Sequence, residues 1–189
     1  MTRLKDLIDK YASNVIQDGT DKETHHSYGC QYEKIFALLE KKTDVKILEN
    51  GVFAGAFTQV MREYFPDAEI YGIDININKY AFPTDIPNIH LYGMDGTLQS
   101  TAEFINQEFD LIIEDASHLP EHQKQSLDVF ATYLKKDGIY VIEDIPSHNT
   151  ELKEDLKNIG LKHNLQMEWV DLRHIKNRLD NILAIFTHM

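Results

Sequence analysis

Two short, mostly apolar runs of this sequence, at 111–113 and 139–142, are each followed directly by two carboxylates. The residues that follow them are Glu114, Asp115 and His118 after the first run, and Glu143 and Asp144 after the second. Short β-branched runs of this kind are typical of strands buried on both faces of a parallel sheet. The ligand crevice of an open α/β sheet lies beyond the carboxyl ends of its strands. If the two strands are neighbours, the acids and the imidazole meet at one edge, and we predict a metal site beside a bound cofactor.

A glycine-containing loop follows the first apolar strand near residue 48. Gly51 and Gly55 stand between this strand and the next helix, where glycine lets the backbone approach a ligand closely. The dinucleotide pattern G-x-G-x-x-G is incomplete here, which argues against a pyrophosphate ligand. Glu49 would also repel phosphate groups, but it would attract an ammonium or sulfonium group.

The second and third predicted strands also end on acids. Asp74 follows Gly51 by about 20 residues, the spacing at which a carboxylate takes ribose hydroxyls. Asp95, followed by Gly96, ends the third strand and could accept a hydrogen bond from an adenine amino group. Each acid alone could be a turn or cap residue. Together, acids at the ends of three consecutive strands favour a nucleoside site.

The apolar periodicity predicts the elements that must position these residues. Strands alternate with helices through the first five strands, and the last two strands follow each other without a clear helix between them. We therefore predict one Rossmann-like domain over 1–189: a doubly wound, seven-stranded, mostly parallel α/β sheet with a C-terminal antiparallel hairpin. Helices and a polar lid loop form its N-terminal part, 1–43. The predicted helices lie near 4–11, 32–39, 57–64, 101–106, 127–134 and 152–159, and the strands near 45–48, 69–75, 88–94, 109–113, 139–142, 166–172 and 182–187.

Composition excludes several classes of function. The chain has 189 residues, 42% of them hydrophobic, which suffices for one domain with a substantial core. Its net charge of −12 disfavours nucleic-acid substrates. The single cysteine, Cys30, excludes an internal disulfide and favours a reducing compartment. The charged N-terminus and the absence of an apolar run of roughly 20 residues predict a cytoplasmic protein without a membrane span.

The pattern of strand-end acids resembles the class I S-adenosylmethionine-dependent methyltransferases, and the resemblance covers nearly the whole chain. It implies that Gly51 and Glu49 meet the methionine part of the cofactor, Asp74 its ribose and Asp95 its adenine. The first loop departs from the family, since residues 52–54 replace the commoner alternation of glycines.

Three further motifs narrow the resemblance to the macrolide-sugar O-methyltransferases of antibiotic biosynthesis. They are G-T-D-K-x-T-x-H-x-Y at 19–28, D-A-S-H at 115–118 and V-I-E-D at 141–144. The resemblance implies that Asp115, Glu143 and Asp144 bind Mg²⁺ and that His118 is the general base. It also implies a small hydroxylated acceptor of the sugar or natural-product type. Larger members of the group carry an extra N-terminal domain, so the identity of the substrate does not transfer.

Adjacent acids pose a geometric problem for this ligand set. Glu143 and Asp144 would point to opposite faces of a regular strand. Both can bind one metal only if the strand has already ended, as the following Ile145 and Pro146 indicate. Glu114 faces the same problem beside Asp115, and we expect it to have a cofactor-side or structural role.

Several polar residues and two rival functions stay open at this point. His25, His26 and His148 could contact the site from outside, and the loop residues Lys22, Thr24, His26, Tyr28 and Tyr32 could form a lid over the methionine end. A nicotinamide-dependent oxidoreductase is disfavoured by the missing third glycine and the absence of a Tyr-x-x-x-Lys pair. A non-catalytic or regulatory S-adenosylmethionine-binding protein would be expected to lose the metal acids first. Assembly into homo-oligomers is a further expectation from relatives.

Overall fold

The computed structural model describes residues 3–12, 19–77, 86–147 and 151–189. Within them the chain forms one seven-stranded sheet with helices on both faces. The strands are β1 (Lys46–Asn50), β2 (Glu69–Ile73), β3 (Ile89–Tyr92), β4 (Phe109–Glu114), β5 (Leu134–Ile142), β6 (Leu165–Asp171) and β7 (Ile182–His188). The helices are α1 (Arg3–Tyr11), α2 (Gly29–Leu39), α3 (Ala56–Tyr64), α4 (Gln99–Ile105), α5 (Pro120–Phe130), α6 (Leu152–Lys162) and the short α7 (Arg173–Lys176).

The strand order is β3-β2-β1-β4-β5-β7-β6, which confirms the predicted fold. Strands β1 to β5 run parallel, and β7 is antiparallel to both β5 and β6. From β1 the chain first builds the sheet toward β3 and then returns to build it on the other side through β4. The order therefore reverses between β1 and β4, where a doubly wound sheet opens a ligand crevice.

Two hydrophobic cores hold this sheet between its helices. Helices α1, α2 and α3 cover one face, and α4, α5 and α6 cover the other. All six residues of β4 are buried, as expected for a central parallel strand. None of the helices in the described ranges combines the length and apolar character that crossing a membrane requires.

The C-terminal half differs from the prediction in two details. Helix α5 ends at Phe130, before the predicted end near 134, and a 3-10 turn (Ala131–Tyr133) leads directly into β5 at Leu134, ahead of the predicted strand start near 139. Leu134 is buried and pairs with Phe109, which accounts for the early start, and the register of the β4–β5 pair shifts after this contact. The last two strands form the predicted hairpin, with β7 inside the sheet and β6 at its edge. The second difference is the short helix α7 in their connection, where no clear helix was predicted.

Candidate active site

The ends of β1, β4 and β5 stay in register beyond their last strand residues. The Asp115 N–H donates to the Asn50 carbonyl at 2.8 Å, and the Glu143 N–H donates to the Glu114 carbonyl at 2.9 Å. The acids that follow β4 and β5 are therefore held side by side at the crevice edge, as the sequence predicts.

Asp115, His118 and Asp144 form a cluster at this edge. Each offers one atom that could bind a metal, and the three atoms lie within 4.8 Å of one another. His118 Nδ1 lies 3.9 Å from Asp115 Oδ1 and 3.7 Å from Asp144 Oδ2. His118 and Asp144 have φ angles of 56° and 51°, so the chain turns out of both strands where these side chains are needed.

The remaining oxygen of each clustered aspartate is held by the protein. Asp115 Oδ2 accepts a hydrogen bond from Lys22 Nζ at 2.8 Å. Asp144 Oδ1 accepts one from the Tyr28 hydroxyl at 2.6 Å, and His26 Nδ1 lies 3.2 Å from the same oxygen. Each aspartate thus has one anchored oxygen and one oxygen that faces His118. Burial, followed by the negative charge of Asp115, raises the pKa of Asp144 to about 8.

Glu143 has a different environment from its neighbour Asp144. Both of its oxygens accept hydrogen bonds from Lys22 Nζ, at 2.7 and 2.8 Å, and the Tyr32 hydroxyl donates to Oε1. Burial raises the pKa of Glu143 well above its ordinary value, although the Lys22 charge opposes this shift. Strand β5 has ended at Ile142, as two usable acids would require, but the carboxylates still point to different partners. Of the implied ligand set, the structure brings together Asp115 and Asp144, with Glu143 turned to Lys22.

The cluster fits a hard divalent cation. Mg²⁺ prefers carboxylate oxygens and is usually held by one or two of them together with waters. Asp115 Oδ1 and Asp144 Oδ2 meet this requirement. His118 Nδ1 is a buried atom that has no hydrogen-bond partner among the described residues, and it faces the same space.

A cavity of about 310 Å³ lies on the nucleoside side of the crevice. Its lining contains the predicted cofactor residues Gly51, Asp74, Asp95 and Gly96. Asp74 Oδ2 accepts the Phe53 N–H at 2.9 Å, so its carboxylate is fixed against the first loop. The hydrogen bonds that Asp95 accepts from the Thr97 side chain and N–H lower its pKa. The structure thus gathers two predicted acids, Asp74 and Asp95, and two glycines, Gly51 and Gly96, in the lining of one cavity.

A second cavity, also of about 310 Å³, lies on the cluster side and shares Gly51 and Phe53 with the first. Glu49 lines it, accepts a hydrogen bond from the Thr58 hydroxyl, and is almost fully buried. Burial raises the pKa of Glu49 to about 8. Its expected contact with the methionine part of a cofactor stays a prediction. The lining of the cavity also includes the three clustered residues Asp115, His118 and Asp144. Part of the 19–28 loop lines it as well, namely Gly19, Thr20, Asp21, Lys22, Thr24 and His25.

The 19–28 loop does more than cover the crevice. Lys22, His26 and Tyr28 are buried, and their polar atoms lie at the acids of β4 and β5. Sequence reasoning placed them in a lid and missed these contacts. The signal that could have found them is chemical: acids buried at one edge require donors, and this polar loop supplies several without an apolar face of its own.

Glu114 and His148 complete the set of predicted residues. Glu114 is buried, and neither of its oxygens has a hydrogen-bond partner among the described residues. Burial, reinforced by the charge of Asp115, raises its pKa to about 8. The residues that line the two cavities do not include Glu114, so its expected cofactor-side role stays a prediction. His148 lies outside the described residues.

Comparison with known proteins adds a family match and named relatives. Residues 30–166 match the family described as FtsJ-like methyltransferase. Mycinamicin VI 2''-O-methyltransferase of Micromonospora griseorubida is 27% identical over 133 residues, which are 64% of this chain and 32% of the relative. Demethylmacrocin O-methyltransferase of Streptomyces fradiae is 27% identical over 156 residues, 74% of this chain and 39% of the relative. The chain thus spans little more than a third of the length of these relatives.

A solved structure shares the whole fold. The methyltransferase MycE of the mycinamycin pathway, in complex with Mg, SAH and mycinamycin VI, superposes with a TM-score of 0.71 at 19% identity. The likeness covers 99% of this chain and 53% of MycE. At this identity the likeness establishes the fold, and it agrees with the strand order described above.

Proposed function

The chain belongs to the FtsJ-like methyltransferase family, and from this premise we propose that it is an S-adenosylmethionine-dependent, Mg²⁺-dependent O-methyltransferase. Its acceptor is a hydroxyl of a small hydroxylated metabolite of the sugar or natural-product type. The observation that carries the proposal is the carboxylate and histidine cluster beside a cavity lined by strand-end acids. The named relatives, which are O-methyltransferases for mycinamicin VI and demethylmacrocin, support the choice of acceptor class.

The two adjoining cavities suit a cofactor with a nucleoside end and a charged amino-acid end. Asp74 would take the ribose hydroxyls, because each of its oxygens retains a lone pair beyond the backbone N–H it accepts. Asp95 and Gly96 would meet the adenine. Glu49 would face the ammonium or sulfonium group, and the shared wall at Gly51 and Phe53 would lie along the middle of the ligand.

Asp115 and Asp144 would hold Mg²⁺ through the oxygens that face His118. When bound there, Mg²⁺ supplies a Lewis acid that lowers the pKa of an acceptor hydroxyl. His118 Nδ1 takes the hydroxyl proton as the oxygen–methyl bond forms and the sulfur–methyl bond breaks, leaving S-adenosylhomocysteine. The residues of this chain otherwise contribute alignment, because the reacting oxygen must lie in line with the sulfur–methyl bond.

Charge and composition support the remaining features of the proposal. The net charge of −12 favours a small acceptor over a nucleic acid, whose phosphates the surface would repel. We further expect a cytoplasmic protein, since a single cysteine suits a reducing compartment. Assembly into homo-oligomers is a separate expectation, which comes from the resemblance to relatives.

Calorimetry and a methyl-transfer assay test the proposal in sequence. We expect heat of binding with S-adenosylmethionine and with S-adenosylhomocysteine, both with and without Mg²⁺, and none with NAD. A panel of glycosylated natural products that includes mycinamicin VI would then be assayed with Mg²⁺ and with EDTA. EDTA should stop methyl transfer and leave cofactor binding nearly unchanged.

Each outcome has a distinct meaning. Binding of NAD instead of S-adenosylmethionine would contradict the methyltransferase assignment. Cofactor binding without transfer to any acceptor would favour the regulatory alternative, and transfer that persists in EDTA would remove the metal from the mechanism.

A further inference from the structure

Lys22 is a buried cation within the carboxylate site. Its ammonium lies 2.8 Å from Asp115 Oδ2 and 2.7 Å from Glu143 Oε1, so it joins the acids that follow two different strands. Its side chain is 2% exposed, and Nζ lies 4.5 Å from the centre of the Phe57 ring. Lys22 also precedes the 30–166 stretch that matches the family.

Lys22 contacts the oxygen of Asp115 that points away from His118. It holds Oδ2 of Asp115, whereas Oδ1 of the same carboxylate faces His118. Tyr28 holds Asp144 in the corresponding way, through Oδ1, with Oδ2 left toward His118. A carboxylate anchored through one oxygen has a fixed orientation for the other. Lys22 therefore orients the open oxygen of Asp115 without occupying it.

The charges of the three acids and Lys22 leave a net charge that one divalent cation would neutralise. Asp115, Glu143 and Asp144 carry three negative charges when ionised, and Lys22 carries one positive charge. The remaining two negative charges equal the charge of one divalent cation. Without Lys22, the buried Glu143 would have no cationic partner among the contacts described for it, which is costly in a protein interior.

We propose that Lys22 is a permanent counter-ion of the metal site, which pairs with Asp115 and Glu143 before the divalent ion binds and so lowers the negative charge that the ion meets. Lys22 pairs with both oxygens of Glu143, so that the divalent cation would be bound by Asp115 and Asp144 instead. The inference rests on the proposed function, because it concerns the metal of that reaction.

The test compares three variants with the wild-type protein: Lys22→Met, Lys22→Arg, and Lys22→Met combined with Glu143→Gln. Methionine keeps the length of the side chain without its charge, arginine keeps the charge, and the double variant replaces the ion pair by a neutral pair. Two readouts independent of activity are the melting temperature in EDTA and the affinity for Mn²⁺ followed by electron paramagnetic resonance, with Mg²⁺ as competitor.

We expect Lys22→Met to melt about 5–10 °C lower in EDTA, because a buried carboxylate loses its partner. Its Mn²⁺ affinity should rise by about tenfold or more, because the site loses a positive charge and Glu143 becomes available to bind the ion. The double variant should return both quantities to near the wild-type values, and Lys22→Arg should keep the Mn²⁺ affinity of the wild type. A residue with a merely structural role would lower the melting temperature without tightening Mn²⁺ binding.

The proposal is wrong if Lys22→Met melts with the wild type in EDTA, or if its Mn²⁺ affinity is unchanged or lower. If Lys22→Met does not fold, the double variant decides: wild-type Mn²⁺ affinity in a folded double variant supports the proposal, and an unfolded double variant contradicts it. A wild-type protein that binds no Mn²⁺, judged against Asp144→Asn, would instead overturn the metal of the proposed function and this inference with it. Binding of S-adenosylmethionine would still report separately on the methyltransferase assignment.

Discussion

The backbone at Gly51 lies directly against the backbone at Asp115. A β-carbon at position 51 would stand 2.1 Å from the Asp115 carbonyl oxygen, far inside contact distance, and Gly51 has a φ angle of +99° that other residues rarely adopt. The first loop and Asp115 are thus packed together without a side chain between them. Because Gly51 lines both cavities, this contact brings the cavity that contains Asp74 and Asp95 next to the cavity that contains Asp115 and Asp144.

Gly51→Ala is therefore expected to lower the affinity for S-adenosylmethionine at least about tenfold, since the loop or Asp115 must move. The strained φ angle should also cost about 1–2 kcal/mol of unfolding free energy. Calorimetry and denaturant unfolding measure the two effects. Gly93→Ala is the matched control, because among the described residues a β-carbon there would meet only Ile77 Cγ1, at 4.0 Å. Equal behaviour of the two variants would contradict the close approach at Gly51.

Asp74→Ala should weaken S-adenosylmethionine binding by about 1–3 kcal/mol, because a charged hydrogen bond to the ribose is lost. The variant also frees the Phe53 N–H, which donates to Asp74 at 2.9 Å. Asp67→Ala provides the control, since this exposed acid precedes the same strand, β2, at the opposite edge of the sheet. Calorimetry that finds the same affinity for both variants would exclude Asp74 from the cofactor site.

Asp110 supplies a prediction about stability far from the crevice. Lys135 Nζ lies 2.6 Å and Lys42 Nζ 3.1 Å from its oxygens, and the Lys46 N–H donates to it at 2.9 Å. Burial alone would raise the pKa of Asp110, but these donors together hold it below its ordinary value. A pKa depressed in the folded state stabilises the fold above the unfolded-state pKa, and that stability is lost as the pH falls through the folded-state pKa.

Asp110→Asn should accordingly cost about 1–3 kcal/mol at pH 7, and the difference from wild type should shrink below about pH 4. Urea unfolding at several pH values measures it. Asp137→Asn serves as control, because Lys42 binds the backbone carbonyl of Asp137 and not its side chain. A difference that stays constant down to pH 2 would mean that the charge of Asp110 is not what stabilises the fold.

The strand-end acids show how far the sequence can predict this protein. Asp74, Asp95 and Asp115 each follow a short apolar run, and parallel strands bring their carboxyl ends to one edge, so topology alone places these residues near one another. Both cavities and the cluster of Asp115, His118 and Asp144 lie at this edge of the sheet, and their roles toward a cofactor and a metal stay predictions.

The partners of the acids could not be predicted in the same way. Lys22 and Tyr28 belong to a loop without hydrophobic periodicity, and only its tertiary contacts decide that both side chains are buried. The sequence indicates that the adjacent Glu143 and Asp144 diverge, but not that Glu143 meets Lys22 while Asp144 faces His118. Periodicity reports which face of an element is buried, whereas a polar contact between distant segments depends on the folded geometry.

His118 has two roles available to it, and one variant separates them. Its Nδ1 faces the open oxygens of Asp115 and Asp144, a position that suits a base for a hydroxyl held there and also suits a third metal ligand. His118→Asn is the appropriate change, because asparagine tolerates the φ angle of 56° better than alanine. As a base, His118 should contribute a factor of about 10²–10⁴ to the rate of methyl transfer.

We expect His118→Asn to lose this factor and the acidic limb of the pH–rate profile, because that limb would report protonation of the base. Its Mn²⁺ affinity and its affinity for S-adenosylmethionine should stay close to those of the wild type. His174→Asn, on the exposed short helix α7, controls for the loss of any imidazole. A large fall in Mn²⁺ affinity would instead make His118 a metal ligand. A variant that keeps most of its rate and the same acidic limb would mean that the hydroxyl proton leaves by another route.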